Sequence, residues 1–231
     1  MRPQLQRVGT SQSPVVIVDD FTGDAEQVAR IADSLAPFPP IKGTYYPGVR
    51  RMISEADRRA HSYVLSACDR AAPFIGGAFG VKGFDLHEAS FSVVATPPEQ
   101  LQPVQRAPHF DSPDQNLIAL LHYLRVPPAT GTAFYRHRST EIERITSANV
   151  DRFVAAANLE LSESPPGPRY FDGSSPYFEQ IGRVEAVPDR LIIYHGSLLH
   201  CGVIPEGMTL TADPKKGRLT ANLFIIGRGS T

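Results

Sequence analysis

The sequence has 231 residues, of which 42% are hydrophobic and 20% are charged. This composition is typical of a globular protein and excludes a disordered or fibrous chain. The 23 basic and 24 acidic side chains leave a net charge of −1, which argues against a large basic nucleic-acid surface. No apolar run approaches the ~18 residues of a membrane-spanning helix. The two cysteines and the polar N-terminus predict a cytoplasmic protein without a disulfide framework or signal peptide.

The first third of the chain predicts mixed structure. Residues 1–12 are polar and are expected to be flexible. Residues 14–18 form an apolar run typical of a buried strand, and residues 24–35 carry apolar side chains with a helical period. A second helix is predicted over residues 54–70, ending before Pro73, because proline disrupts the interior of a helix.

From residue 84 onward, short β-type runs dominate and one helix, over residues 148–161, interrupts them. The runs cover residues 84–96, 117–124, 132–135, 182–187, 191–195 and 218–226. Together, 18 glycines and 21 prolines favour many short elements joined by turns. The pattern predicts a β-sandwich or jelly roll flanked by helices.

The last predicted strand has two unlike faces. Arg218, Thr220 and Asn222 share one face, whereas the residues between them are apolar. We expect the apolar face to pack on helices and the polar face to begin inside the roll. A polar interior at the start of a strand indicates a ligand cavity.

The triplet His109-Phe110-Asp111 is the first candidate site. On an extended segment, residues two positions apart point to the same side, so His109 and Asp111 can reach one metal ion. Alone, the triplet is equally typical of a surface histidine beside a capping aspartate. A third ligand must come from elsewhere: His200 follows an apolar strand and a turn, and His195 at the end of that strand is the alternative. Two histidines and one carboxylate are the ligand set of non-haem Fe(II) oxygenases.

The order of these features resembles the Fe(II)/2-oxoglutarate-dependent dioxygenases of the prolyl-4-hydroxylase-like branch. After the triplet come an apolar strand ending in Tyr123-Leu124, the segment 131–138, and an apolar strand followed by Leu199-His200-Cys201-Gly202. The sequence most resembles an uncharacterised bacterial family of that superfamily, which is marked by Gly131-Thr132-Ala133-Phe134-Tyr135-Arg136-His137-Arg138. The resemblance covers residues 84–227.

The resemblance implies a fold, an activity and a set of site residues. The fold is α+β: a double-stranded β-helix (jelly roll) with N-terminal flanking helices, in one domain over residues 1–231 whose jelly-roll core is 84–227. The resemblance selects His200 over His195, so that His109, Asp111 and His200 would bind Fe(II). Side chains for 2-oxoglutarate would be Arg218, Tyr123, Thr220 and Asn116, with Arg218 on its distal carboxylate.

One spacing departs from the family pattern. In many relatives the cationic residue follows the distal histidine by about ten positions, whereas Arg218 lies 18 positions after His200. Residues 206–217 therefore resemble an inserted loop. Lys215 and Lys216 are nearer in sequence, but they lie in its turn, so Arg218 is preferred.

The expected function is that of an oxygenase using Fe(II), 2-oxoglutarate and O2. Such an enzyme would hydroxylate a C–H bond of an amino-acid-like, peptidyl or natural-product substrate and release succinate and CO2. In this family the carboxylate at Asp111 favours hydroxylation over halogenation. Two alternatives stay open, a non-catalytic metal-binding jelly-roll module and a zinc-dependent hydrolase. Dependence on 2-oxoglutarate separates the first hypothesis from both.

Overall fold

The computed structural model describes residues 2–40 and 46–230 of the chain. Its strands are β1 (Arg2–Val8), β2 (Ser13–Asp19), β3 (Gly48–Met52), β4 (Val81–Val94), β5 (Leu117–Arg125), β6 (Gly131–His137), β7 (Phe178–Glu185), β8 (Leu191–His195), β9 (His200–Val203) and β10 (Arg218–Ser230). The α-helices are α1 (Ala25–Asp33), α2 (Arg58–Phe79) and α3 (Val150–Glu163). Two short 3-10 helices, Pro98–Gln100 and Pro103–Arg106, precede the candidate triplet.

The strands form two antiparallel sheets that face each other. The larger sheet has seven strands in the order β1-β2-β8-β5-β10-β4-β3, and the smaller has three in the order β7-β6-β9. One apolar cluster, which includes Tyr123 and Tyr194 of the larger sheet and Phe134 of the smaller, fills the space between them. A second cluster joins the outer face of the larger sheet to α1 and α2. A third joins the outer face of the smaller sheet to α3.

Strand β10 divides its side chains between two of these layers. Leu219, Ala221, Leu223 and Ile225 belong to the cluster that includes buried residues of α1 and α2. Arg218, Thr220 and Asn222 line a cavity between the sheets. The predicted two-faced character of this strand is therefore confirmed.

Helix α2 is longer than the sequence pattern predicted, because it continues through Pro73 to Phe79. A proline inside a helix costs about 3 kcal/mol. Here the apolar stripe on both sides of it, including Ala71 and Ile75, is buried against the sheet, and that burial offsets the cost. The helix begins at Arg58 rather than at Ser54. None of the described helices is long and apolar enough to cross a membrane.

The structure differs from the expectation that residues 1–12 are flexible. Residues 2–8 form β1, which pairs with β2 along its whole length. The turn that joins the two strands is held by the Glu143 carboxylate, which accepts hydrogen bonds from the backbone N–H groups of Thr10 and Ser11, each at 2.9 Å. The polar composition did not indicate this strand, because backbone hydrogen bonds between strands need no apolar side chains. Within β1, Val8 is a fully buried apolar residue.

Candidate functional site

Three potential metal-binding side chains converge between the two sheets. One ligand atom from each of His109, Asp111 and His200 can be chosen so that all lie within 4.8 Å of one another. Nε2 of His200 is 3.7 Å from Oδ2 of Asp111, and the centroids of the two imidazole rings are 4.6 Å apart. These are the three residues that the sequence predicted as ligands.

Backbone hydrogen bonds hold the three residues in place. His109 and His200 exchange a reciprocal pair, with N···O distances of 2.9 and 2.8 Å, so His109 forms an isolated antiparallel bridge to the first residue of β9. The N–H of Asp111 donates to the carbonyl oxygen of Gly196 at 2.7 Å. A Cβ at Gly196 would lie 3.3 Å from both Cβ and Oδ2 of Asp111, so glycine permits this close approach. The ligand geometry is therefore set by the main chain before any ion binds.

The hydrogen bonding and the burial of the three groups suit a cation. Nδ1 of His200 lies 2.7 Å from the carbonyl oxygen of Leu198 and must donate to it, which leaves Nε2, 3.7 Å from Oδ2 of Asp111, as the nitrogen available to a metal ion. Burial, followed by the proximity of His200, lowers the pKa of His109 well below its usual value, so that its imidazole is neutral. Desolvation raises the pKa of Asp111, which means that its negative charge is incompletely compensated by protein groups. A divalent cation would supply that compensation.

A cavity of about 470 Å³ adjoins the three residues and contains Arg218. The Arg218 side chain is almost fully buried, at 4% exposure, and lies over the ring of Tyr123 with its Cζ 5.5 Å from the ring centroid. Its Nη2 donates to the carbonyl oxygen of Gly131 at 3.3 Å, whereas its buried Nε has no hydrogen-bond partner among the described residues. A buried guanidinium with an unused donor is suited to an anionic ligand.

Thr220 and Tyr123, both predicted for the same ligand, occupy different positions. Thr220 lines the cavity beside Arg218. Tyr123 is fully buried, and its hydroxyl hydrogen-bonds to Oγ1 of Thr132 at 2.7 Å, which joins the two sheets behind the cavity wall. The ring of Tyr123 therefore packs against the Arg218 guanidinium, and Thr132, rather than Tyr123, lines the cavity.

Tyr46 is a cavity residue that the sequence did not indicate. Its buried hydroxyl lies near the Ser92 side chain but makes no hydrogen bond of good geometry with a described residue. Burial raises its pKa to about 12, so the hydroxyl stays protonated and can donate. Tyr46 precedes β3, an edge strand of five residues that was not predicted, and no local pattern relates it to Arg218.

Asn116 and His195 lie outside the cavity. Asn116 was predicted to contact a ligand, but it is exposed, and its backbone carbonyl accepts a hydrogen bond from the N–H of Gly227 at 2.9 Å. The ring of His195 instead packs edge-on against Phe79, with the centroids 5.0 Å apart. The structure therefore brings His200, and not His195, to His109 and Asp111.

The segment 206–217, which was expected to be an inserted loop, contributes no residue to the cavity. All of its residues fall in the described part of the chain. Lys216 reaches only Asp213, at 4.0 Å, and both side chains are exposed. Of the three cations considered from sequence, Arg218 is therefore the one that the structure brings to the cavity.

Polar side chains of the larger sheet, including Arg50 and Thr220, contribute to the cavity wall. Arg50 of β3, Ser92 of β4 and Thr220 of β10 lie side by side across three strands. Nη2 of Arg50 lies 2.9 Å from Oε1 of Glu88 and 2.8 Å from Oγ of Ser90. Strand pairing assembles this group, so a single-sequence pattern could not reveal it.

Solved structures of non-haem iron and 2-oxoglutarate proteins share this fold. HygX from Streptomyces hygroscopicus, crystallised with nickel, 2-oxoglutarate and hygromycin B, aligns with a TM-score of 0.55 at 14% identity, covering 94% of this chain and 84% of HygX. A Pseudomonas putida prolyl-4-hydroxylase aligns at 0.52 with 14% identity, covering 94% and 95%. The α-ketoglutarate-dependent epimerase SnoN from nogalamycin biosynthesis aligns at 0.54 with 12% identity, covering 94% and 79%. At such identities the likeness shows the fold alone, and it confirms the predicted jelly-roll class.

Sequence comparison gives the family. No curated protein shows significant similarity to the chain. A family model described as a family of unknown function, DUF6445, matches residues 1–225. Because this match spans nearly the whole sequence, the chain belongs to the DUF6445 family.

Proposed function

We propose that the chain is an Fe(II)- and 2-oxoglutarate-dependent oxygenase that hydroxylates an unactivated C–H bond of a small-molecule or peptidyl substrate. One observation carries the proposal. Two histidines and one aspartate converge within 4.8 Å, and the same cavity holds a buried arginine with an unused donor. The whole chain from 1 to 231 would serve as a single oxygenase-like domain.

The three converging side chains fit Fe(II). Two imidazole nitrogens and one carboxylate oxygen match the facial triad that leaves three coordination positions open. The Leu198 carbonyl fixes the tautomer of His200, an outer-shell contact of the type that orients ligating histidines. HygX and SnoN, which share the fold, were crystallised with iron, and this supports the choice of metal.

The neighbouring wall fits 2-oxoglutarate. Arg218 offers a planar cation with a buried, unused Nε, and Thr220 and Tyr46 offer hydroxyl groups on the same cavity. We assign the distal carboxylate to Arg218, with the Tyr46 hydroxyl rather than Tyr123 as its neutral donor. HygX and SnoN also contain 2-oxoglutarate in the solved complexes.

In this assignment the protein's residues position the reactants and exclude water. Iron with 2-oxoglutarate and O2 would supply the oxidant for C–H cleavage, with succinate and CO2 as the co-products. Arg218 would neutralise one carboxylate of the co-substrate deep in the cavity, where a charge–charge contact is strong. Asp111 would occupy one ligand position, which favours hydroxylation over halide transfer.

Anaerobic titration of the protein with Fe(II) and then 2-oxoglutarate tests the proposal. A weak visible charge-transfer band should form, because the keto acid chelates the bound metal. His109→Ala should abolish the band, and Arg218→Lys should raise the 2-oxoglutarate concentration needed by about tenfold or more, because lysine lacks the planar fork. His195→Ala is the matched control and should leave the band unchanged, since His195 lies outside the ligand group.

The backbone pairing of His109 with His200 does not depend on the imidazole, so we expect His109→Ala to fold. Far-UV circular dichroism and urea unfolding verify this. If a folded, metal-loaded protein gives no band with 2-oxoglutarate, the proposal is wrong, and the two hypotheses that need no keto acid take its place.

A further inference from the structure

An ion pair in the cavity has no part in the proposed binding of metal or 2-oxoglutarate. Arg50 and Glu88 both line the cavity that contains Asp111 and Arg218. Their side chains are 16% and 34% exposed, and Nη2 of Arg50 is 2.9 Å from Oε1 of Glu88. The pair therefore lies inside the cavity at its outer side and presents two opposite charges to whatever enters.

The Arg50 guanidinium is fixed in place but not fully used. Its Nη2 contacts Glu88 and Ser90, and its Nε lies 3.3 Å from Oγ of Ser90. Its Cζ lies 5.9 Å from the centroid of the Tyr46 ring. Its Nη1 makes no hydrogen bond to any described residue. A planar cation held through Nε and Nη2 keeps the two N–H groups of Nη1 available for a carboxylate.

The balance of charge in the cavity indicates what kind of substrate fits. Two positive charges on iron and one on Arg218 would balance the negative charges of Asp111 and of the 2-oxoglutarate dianion. What remains is one cation, Arg50, and one anion, Glu88. A substrate with only a carboxylate would leave the cavity with one uncompensated negative charge, and one with only an ammonium would leave one uncompensated positive charge. A zwitterion pairs both charges at once.

We propose that Arg50 and Glu88 bind the carboxylate and the ammonium of a free α-amino-acid-like zwitterion, whose side chain is then directed towards the metal ligands. The assignment rests on the proposed oxygenase function and narrows its substrate class. A cavity of about 470 Å³ is in the range that holds a small molecule together with 2-oxoglutarate. A residue within a peptide lacks both charges and would offer neither Arg50 nor Glu88 an opposite charge.

A panel of ligands tests this assignment without turnover. The protein loaded with Zn(II) and 2-oxoglutarate is titrated by calorimetry with each proteinogenic L-amino acid, and with the N-acetyl and α-amide derivatives of each. At least one free amino acid should bind, and blocking either of its charged groups should weaken binding by about tenfold or more. The same amino acid should stimulate succinate formation by the Fe(II)-loaded protein in air.

Three variants locate the binding group. Arg50→Gln and Glu88→Gln should each weaken binding of the free amino acid by about tenfold or more. Arg51→Gln is the matched control: Arg51 is the next residue on β3, but it pairs with Asp57 outside the cavity. The Fe(II)–2-oxoglutarate band in each variant shows whether the metal site has folded.

The outcomes separate the two proposals. If the band forms but no amino acid binds, or if blocked derivatives bind as well as free ones, the zwitterion assignment is overturned and the oxygenase proposal stands. Binding that is unchanged in both Arg50→Gln and Glu88→Gln also overturns it. Absence of the band in the wild-type protein refutes the oxygenase proposal, and the substrate assignment fails with it.

Discussion

Replacing Gly196 by alanine tests whether close packing under Asp111 sets the metal-binding geometry. The added Cβ would lie 2.4 Å from Cδ2 of Leu117 and 3.3 Å from Cβ and Oδ2 of Asp111. Carbon atoms in ordinary contact are about 3.5–4.0 Å apart. Leu117 must therefore retreat by about 1 Å or more, and Asp111 by a few tenths of an ångström.

These displacements have two measurable consequences. Leu117 is buried at 7% exposure, so overpacking there should lower the free energy of unfolding by about 1–3 kcal/mol. Metal–ligand distances tolerate errors of only about 0.2 Å, and disturbing a supporting contact typically weakens metal affinity by about 10–100-fold. Gly196→Ala should therefore bind Fe(II) more weakly by that factor while remaining folded.

Fe(II) affinity is measured by anaerobic titration with 2-oxoglutarate present, and stability by urea unfolding. Gly202→Ala is the matched control, because Gly202 also lines the cavity but an added Cβ would meet no heavy atom within 4 Å. Wild-type affinity in Gly196→Ala would refute the reasoning, since the backbone would then accommodate the methyl group without moving Asp111.

Two further predictions concern buried carboxylates away from the site. Desolvation opposes ionisation of Asp189, yet hydrogen bonds from His122 and from the turn at Thr22 lower the pKa of Asp189 far below its ordinary value. The ionised carboxylate therefore stabilises the fold above about pH 4, and this contribution is lost as the pH falls further. Asp189→Asn should cost about 2–3 kcal/mol in urea unfolding at pH 7 and clearly less at pH 3; a deficit independent of pH contradicts this. In the β1–β2 turn, the Glu143 carboxylate accepts two backbone hydrogen bonds, and Glu143→Gln removes its negative charge. Hydrogen exchange at the amides of Thr10 and Ser11 should therefore accelerate by about tenfold. Unchanged exchange would show that β1 holds the turn without this carboxylate.

The strands with buried apolar runs were predictable because their local pattern matches their burial. The predicted strand at 191–195 coincides with β8, and the one at 117–124 differs from β5 by one residue. The strands β1, β3 and β9 were missed for a shared reason. Each is short or polar and forms because it hydrogen-bonds to an adjacent strand of the sheet. Such pairing leaves no local pattern in the sequence.

The same distinction applies to the candidate site. His109 and Asp111 could be paired because a period of two residues places them on one side of an extended segment. His200 could be chosen over His195 only through family resemblance, since no periodicity links positions so far apart. Arg50 and Tyr46 were missed because they reach the cavity only when β3 pairs with β4, a tertiary event.

The reciprocal hydrogen bonds between His109 and His200 close a loop between residues that lie 91 positions apart. Closing a loop of that length costs about 4 kcal/mol in chain entropy, and two backbone hydrogen bonds alone do not recover that amount. The contact can therefore persist only after β5 to β8, which lie within the loop, have paired and packed. Completion of the candidate site and completion of the fold become one cooperative step, so metal affinity should report on the integrity of the whole jelly roll.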